Sequence, residues 1–262
     1  MNRQAQSAVL FLIGVALLHA GLTDLYLRYV KAGLRPLLLA AGVLLIVAAL
    51  ATAWYEWRGG RSGSGGGDVD SHGEGEGEGE GQGGSGGGTG GGVHREPRIA
   101  WLLVLPILAL ILVAPPALGS YSAIRTGTAL QQPYGYLKLP AGDPVPLNLV
   151  DYAGRAAYDH GRSLEGRSVR ITGFVALDGA GAPYLVRMAL NCCAADAQPV
   201  KVGLTGKIPP VLRPDAWLEV TGTYTPKRTS DPVNGGPIPY LRVTSARPVP
   251  EPRDPYDETW NT

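Results

Sequence analysis
The chain contains two cysteines, and they are adjacent. Cys192 and Cys193 open the stretch Cys192-Cys193-Ala194-Ala195-Asp196-Ala197. Two thiols and a carboxylate this close in sequence have three chemistries open to them. As neutral thiols they pack as small hydrophobes. As thiolates, with Asp196, they offer soft and borderline donors to a transition metal such as zinc. As a redox pair they cycle between dithiol and vicinal disulfide, with reactivity set by thiolate character. Successive side chains of an extended strand point to opposite faces. Joint ligation by both sulfurs therefore requires the strand to end at Cys192 and turn. A four-ligand zinc site cannot be assembled from residues local in sequence. His160 belongs to another segment, and His72 and His94 fall in or beside a glycine-rich tract. Cys192, Cys193 and Asp196 are the candidate metal ligands.

Other reactive constellations are missing from the sequence. It has no nucleophile elbow, no phosphate-binding glycine loop and no His-Glu-x-x-His helix. The expectation is a protein that is not an enzyme. A net charge of +1 gives no basic stripe of the kind nucleic-acid binders carry. Two adjacent cysteines cannot build a disulfide framework.

The elements that must carry this motif fall into four blocks: 1–58, 59–97, 98–118 and 119–262. The first reads as a two-helix transmembrane hairpin. Ala8–Leu27 and Leu34–Trp54 are each about 20 mainly apolar residues, the length a span needs. Trp54, Tyr55 and Trp57 follow as an interfacial aromatic belt. The short connection Arg28–Arg35 predicts helices packed side by side. His19 and Asp24 are the ionisable residues of the first span. Asp24 reads as a headgroup-level cap, and His19 is balanced between a functional and a neutral role.

The second block, Gly59–Val93 at its centre, holds half of the chain's 38 glycines. It cannot bury enough apolar surface to fold and is expected to be a flexible spacer. Its six carboxylates, Asp68, Asp70 and the Glu74–Glu80 alternation, read as solvation rather than a fixed cation site. Ile99–Leu118 is a third expected span, ended by Pro115 and Pro116. Three spans put the termini on opposite sides. The distribution of arginine and lysine slightly favours a cytoplasmic N-terminus and an extracellular C-terminal domain.

The last block alternates apolar and polar residues in five short runs. These are Ser168–Leu177, Tyr184–Leu190, Val200–Leu204, Trp217–Thr225 and Tyr240–Ala246. The first and fourth each carry a Thr-Gly step, at Gly173 and Gly222, where a strand is expected to bend or bulge. Five short bent strands suit a small OB-like barrel, with a helix within Leu147–His160 packed ahead of it.

The layout resembles the YcgQ-type bacterial membrane proteins. The resemblance rests on the paired N-terminal spans, the polar linker and the third span ending Pro115-Pro116-Ala117-Leu118-Gly119-Ser120. It rests most on Arg187-Met188-Ala189-Leu190-Asn191-Cys192-Cys193-Ala194-Ala195-Asp196-Ala197-Gln198-Pro199. Such proteins are described as subunits of a two-component permease, and they accompany a multi-span membrane partner. The resemblance implies a non-enzymatic accessory subunit in the cell membrane, with Cys192, Cys193 and Asp196 as the site. The linkers of many relatives are His-rich, whereas this one is rich in Gly and Glu. A membrane-tethered thiol redox module and a purely structural anchor remain open alternatives.

Overall fold
The computed structural model describes residues 3–59 and 116–257. These divide into two compact units, one holding the helices up to Leu18 and from Ala40, the other holding His19–Leu39 and the chain from Pro116.

In the first unit, helix α1 (Arg3–Leu22) runs beside helix α2 (Arg35–Gly59). The two backbones approach closely at paired glycines. A Cβ on Gly14 would lie 2.9 Å from the Gly42 carbonyl oxygen, and one on Gly42 would lie 3.1 Å from the Gly14 oxygen. Small residues facing each other across a helix pair leave room for this approach. The Ser7 and Thr52 hydroxyls share a hydrogen bond of 2.9 Å across the pair. Leu37, Val43, Leu44, Val47 and Leu50 of α2 are exposed. Among the described residues one helical stretch, Ala32–Tyr55, is long and apolar enough to cross a bilayer. Gln6–Leu22 is apolar but shorter.

Helix α1 therefore differs from the bounds expected for a first span. Helix α1 stops at Leu22 instead of running to Leu27. The Thr23 hydroxyl donates to the His19 carbonyl (2.9 Å) and accepts from the Leu25 N–H (3.4 Å), starting a 3-10 turn at Asp24–Arg28. Asp24 is exposed in that turn and pairs with Arg253 at 2.7 Å. The predicted spacer Gly59–Val93 and the body of the predicted span Ile99–Leu118 lie outside the described residues.

The second unit contains a closed five-stranded barrel with additional strands, fitting an OB-like domain. Its staves are β2 (Ser168–Leu177), β3 (Pro183–Ala189), β4 (Gln198–Gly206), β5 (Trp217–Ser230) and β6 (Pro237–Pro248). Their order β2-β5-β6-β4-β3 closes through β2 against β3, and the only parallel contact among the staves is β4 with β6. Two short strands lie outside the five foreseen, β1 (Val145–Pro146) along β2 and β7 (Tyr256–Asp257) along β3. Both pairings span large sequence gaps, which strand periodicity does not report.

The two glycine steps behave differently. At Gly222 the β5–β6 register shifts, which is a bulge. At Gly173 the β2–β5 register is unbroken, and β2 passes from pairing with β5 to pairing with β3 at Phe174. A Cβ at Gly173 would come within 2.7 Å of the Val186 carbonyl oxygen, so the hand-over needs a residue without one.

Helix α4 (Leu149–Ala157) closes one end of the barrel. Asn148 caps it by accepting the Asp151 N–H at 2.7 Å. Its apolar face, with Leu149, Tyr152 and Ala153 fully buried, joins Val169, Ile171, Leu185, Val202, Val220 and Leu241 in the barrel core. A second cluster covers the outer face of β2 and β3. There Ala123 of helix α3 (Ser120–Arg125) packs with Phe174, Val186, Met188 and Tyr256. Strand β3 is thus buried on both faces and delivers the chain rigidly to Leu190.

Candidate metal centre
Strand β3 ends at Ala189, three residues before the first cysteine. Leu190 is buried and its N–H donates to the Asp257 carbonyl at 3.2 Å, the last sheet-like bond. The chain then bends through Asn191 and Cys192. Cys193, at φ −155° and ψ 168°, leads into the 3-10 turn Ala194–Asp196. This early stop removes the strand alternation that would separate two adjacent side chains. The Cys192 and Cys193 sulfurs lie 3.6 Å apart.

Asp196 holds the bend. Its Oδ1 accepts the Asn191 N–H at 3.0 Å and its Oδ2 accepts the Cys192 N–H at 2.9 Å. Partial desolvation raises the pKa of this carboxyl. Hydrogen bonds from the Cys192 thiol and from the N–H groups of Asn191, Cys192 and Cys193 outweigh it and lower the carboxyl below its ordinary value. The same contact acts in reverse on the thiol. A hydrogen bond to the Asp196 carboxylate, then one to Cys193, pushes Cys192 up from the ordinary 9.0 to about 12. The metal-free pair is therefore protonated at Cys192 around neutrality, and it is not an activated nucleophile.

The ligand atoms of Cys192, Cys193 and Asp196 all lie within 4.8 Å of one another. Among the described residues they are the one group of three such donors. Cys192 is exposed and Cys193 half-buried, so neither fills a core position. His160, at φ 53°, is exposed in the turn after α4 and is not in the group. His19 is exposed at the end of α1. His72 and His94 lie outside the described residues.

Residue periodicity carries no signal for what lies against this bend. The connection between α1 and α2 lies against it in extended pairing at a single residue. Val30 pairs antiparallel with Cys193. The Ala194 N–H donates to the Tyr29 carbonyl at 2.7 Å, and the Lys31 N–H donates to the Cys192 carbonyl at 3.2 Å. The Tyr256 hydroxyl bridges two segments, donating to the Arg28 carbonyl (3.1 Å) and accepting from the Leu118 N–H (3.2 Å). Arg35 braces the connection by donating to the Gly21 carbonyl at 2.9 Å, a cation at a helix C-terminus. Arg187 fixes β7 on the other side. Its guanidinium donates to the Tyr256 carbonyl (2.8 Å) and stacks on Trp217 at 5.1 Å.

No curated protein and no solved structure matches this chain. Residues 153–257, from within α4 through the barrel and the cysteine bend to β7, match the family model of the DUF1980 C-terminal domain, the family known as YcgQ-like.

Proposed function
We propose that this protein is a non-enzymatic, membrane-anchored accessory subunit of a multi-span permease, and that its C-terminal domain handles a transition metal, zinc, through Cys192, Cys193 and Asp196. The observation that carries the reading is the sulfur separation. Two Zn–S bonds of about 2.3 Å at a tetrahedral angle span about 3.8 Å. The thiols stand at 3.6 Å, so the pair needs almost no rearrangement to take such an ion. A disulfide needs about 2.05 Å, and the Cα atoms across one trans peptide, about 3.8 Å apart, are closer than disulfides prefer. Geometry therefore favours ligation over oxidation. Three protein donors on an exposed bend leave a fourth position open, which suits a cargo passed onward better than a closed structural site. Loading replaces the Cys192 proton, because thiols bind zinc as thiolates.

The membrane setting is supported by the apolar stretch Ala32–Tyr55, by the glycine-to-glycine contact of α1 and α2, and by the Ser7–Thr52 bond. A third span at Ile99–Leu118 and an extracellular C-terminal domain complete the reading. The exposed apolar side chains of α2 would face lipid or the permease.

The test uses the full chain, purified anaerobically in mild detergent and assayed for bound metal by elemental analysis. Stoichiometric zinc in the wild type, lost in Cys192→Ser/Cys193→Ser, is the expected result. No metal, with thiols that oxidise to an intramolecular disulfide, replaces it with the redox reading. The absence of any co-purifying multi-span protein would remove the permease assignment but not the site.

A further inference from the structure
The connector touches the metal site through the backbone of the ligand residues themselves. Lys31 donates to the carbonyl of Cys192, and Tyr29 accepts from Ala194, the residue after Cys193. Val30 lies opposite Cys193 between them. These two bonds flank the peptide units that carry both sulfurs. The connector is covalently continuous with both helices. It reaches α2 within four residues, through the 3-10 turn Ala32–Leu34. We propose that occupancy of the Cys192/Cys193/Asp196 site is transmitted to the helical hairpin through this Tyr29–Lys31 latch. The inference rests on the metal reading above and adds its regulation.

The physical basis is reciprocity. An ion that joins both sulfurs to Asp196 fixes the 191–194 backbone in the conformation the latch requires. If metal tightens the latch by some factor, an intact latch tightens metal by the same factor. Without metal, the bend is held by hydrogen bonds only, those of Asp196 and those of the latch itself, and the latch can open with less loss. In a permease subunit such a coupling would report cargo at the surface to helices within the bilayer.

Lys31 offers a clean test of the latch. Its φ of −54° suits proline, and Val30 pairs as a strand residue, the conformation a following proline favours. Lys31→Pro therefore deletes the N–H that donates to Cys192 while keeping all three ligands. Lys31→Ala removes the side chain and keeps the N–H. Zinc affinity would be measured by chelator competition on the full chain in detergent. Amide hydrogen exchange at residues 29–34 would be followed with and without zinc. We expect zinc to slow exchange at Lys31 in the wild type. Loss of one such bond should make Lys31→Pro bind zinc roughly two- to tenfold more weakly, with Lys31→Ala unchanged. Stoichiometric zinc binding that leaves Lys31 exchange unaltered would overturn the latch while sparing the site. Failure of the wild type to bind zinc would overturn the site reading and the latch with it. The wild-type exchange measurement decides even if the proline variant does not fold.

Discussion

Replacing Asp196 with asparagine should make Cys192 more reactive. Hydrogen bonding to the Asp196 carboxylate, ahead of that to Cys193, pushes Cys192 from 9.0 up to about 12, so Cys192 is protonated throughout the neutral and mildly alkaline range. Asparagine keeps the size and still offers an oxygen to the Asn191 N–H, but it removes the charge. At pH 8 a thiol of ordinary pKa is about one-tenth thiolate, whereas one at 12 is about one part in 10,000. A more basic thiolate is intrinsically the better nucleophile, which returns a factor of roughly 20. The full shift would give a difference of about 50-fold, reduced toward about tenfold because Cys192 faces water and because the Cys193 share of the shift is absent from the assay background. The assay is iodoacetamide alkylation of metal-free protein in a Cys193→Ser background, from pH 7 to pH 10. The Asp196-containing protein should still gain close to tenfold in rate per pH unit at pH 9 to 10. Asp196→Asn should level off there. Equal rates within a factor of two across the range would refute the assigned carboxylate–thiol contact.

Three further outcomes follow from the packing. Lys201 and Asp231 form a fully buried pair at 2.7 Å, with Asp231 also accepting the Thr128 and Val233 N–H groups. Removing one partner by Lys201→Met should cost about 3–5 kcal/mol. The double replacement Lys201→Met/Asp231→Leu should cost less than the sum of the two singles, as read by denaturant unfolding. Gly173→Ala, whose Cβ would meet the Val186 carbonyl at 2.7 Å, should destabilise by about 1–3 kcal/mol in the same assay. Tyr256→Phe loses the hydroxyl that joins Arg28 to Leu118, so amide exchange at residues 28–31 should accelerate severalfold while the barrel strands stay protected.

The strands were legible in the sequence because their information is local. The bounds Ser168–Leu177 expected for the first strand agree with β2, whose burial alternates up to Thr172 as the two-residue period of a strand requires. Helix α4 falls within Leu147–His160, where a helix is expected ahead of the barrel; its bounds, its buried face and its Asn148 cap come from the structure. The Thr-Gly steps flagged two special positions, but their different roles depend on which strand approaches each glycine. The end of α1 at Leu22 is hidden in the sequence because Leu25, Tyr26 and Leu27 continue the apolar run, while Thr23 redirects the backbone.

For the site, the sequence determined the donors: two thiols and a carboxylate within five residues, near the end of a strand. Only tertiary structure decided whether they could meet. Pairing of Leu190 with Asp257 ends the sheet just before the cysteines. Asp196 then clasps the bend, which places both sulfurs on one side. The Tyr29–Lys31 contact is still less local, joining residues about 160 positions apart through backbone groups. Backbone hydrogen bonds carry no side-chain signature, so no pattern of residue types could have announced it.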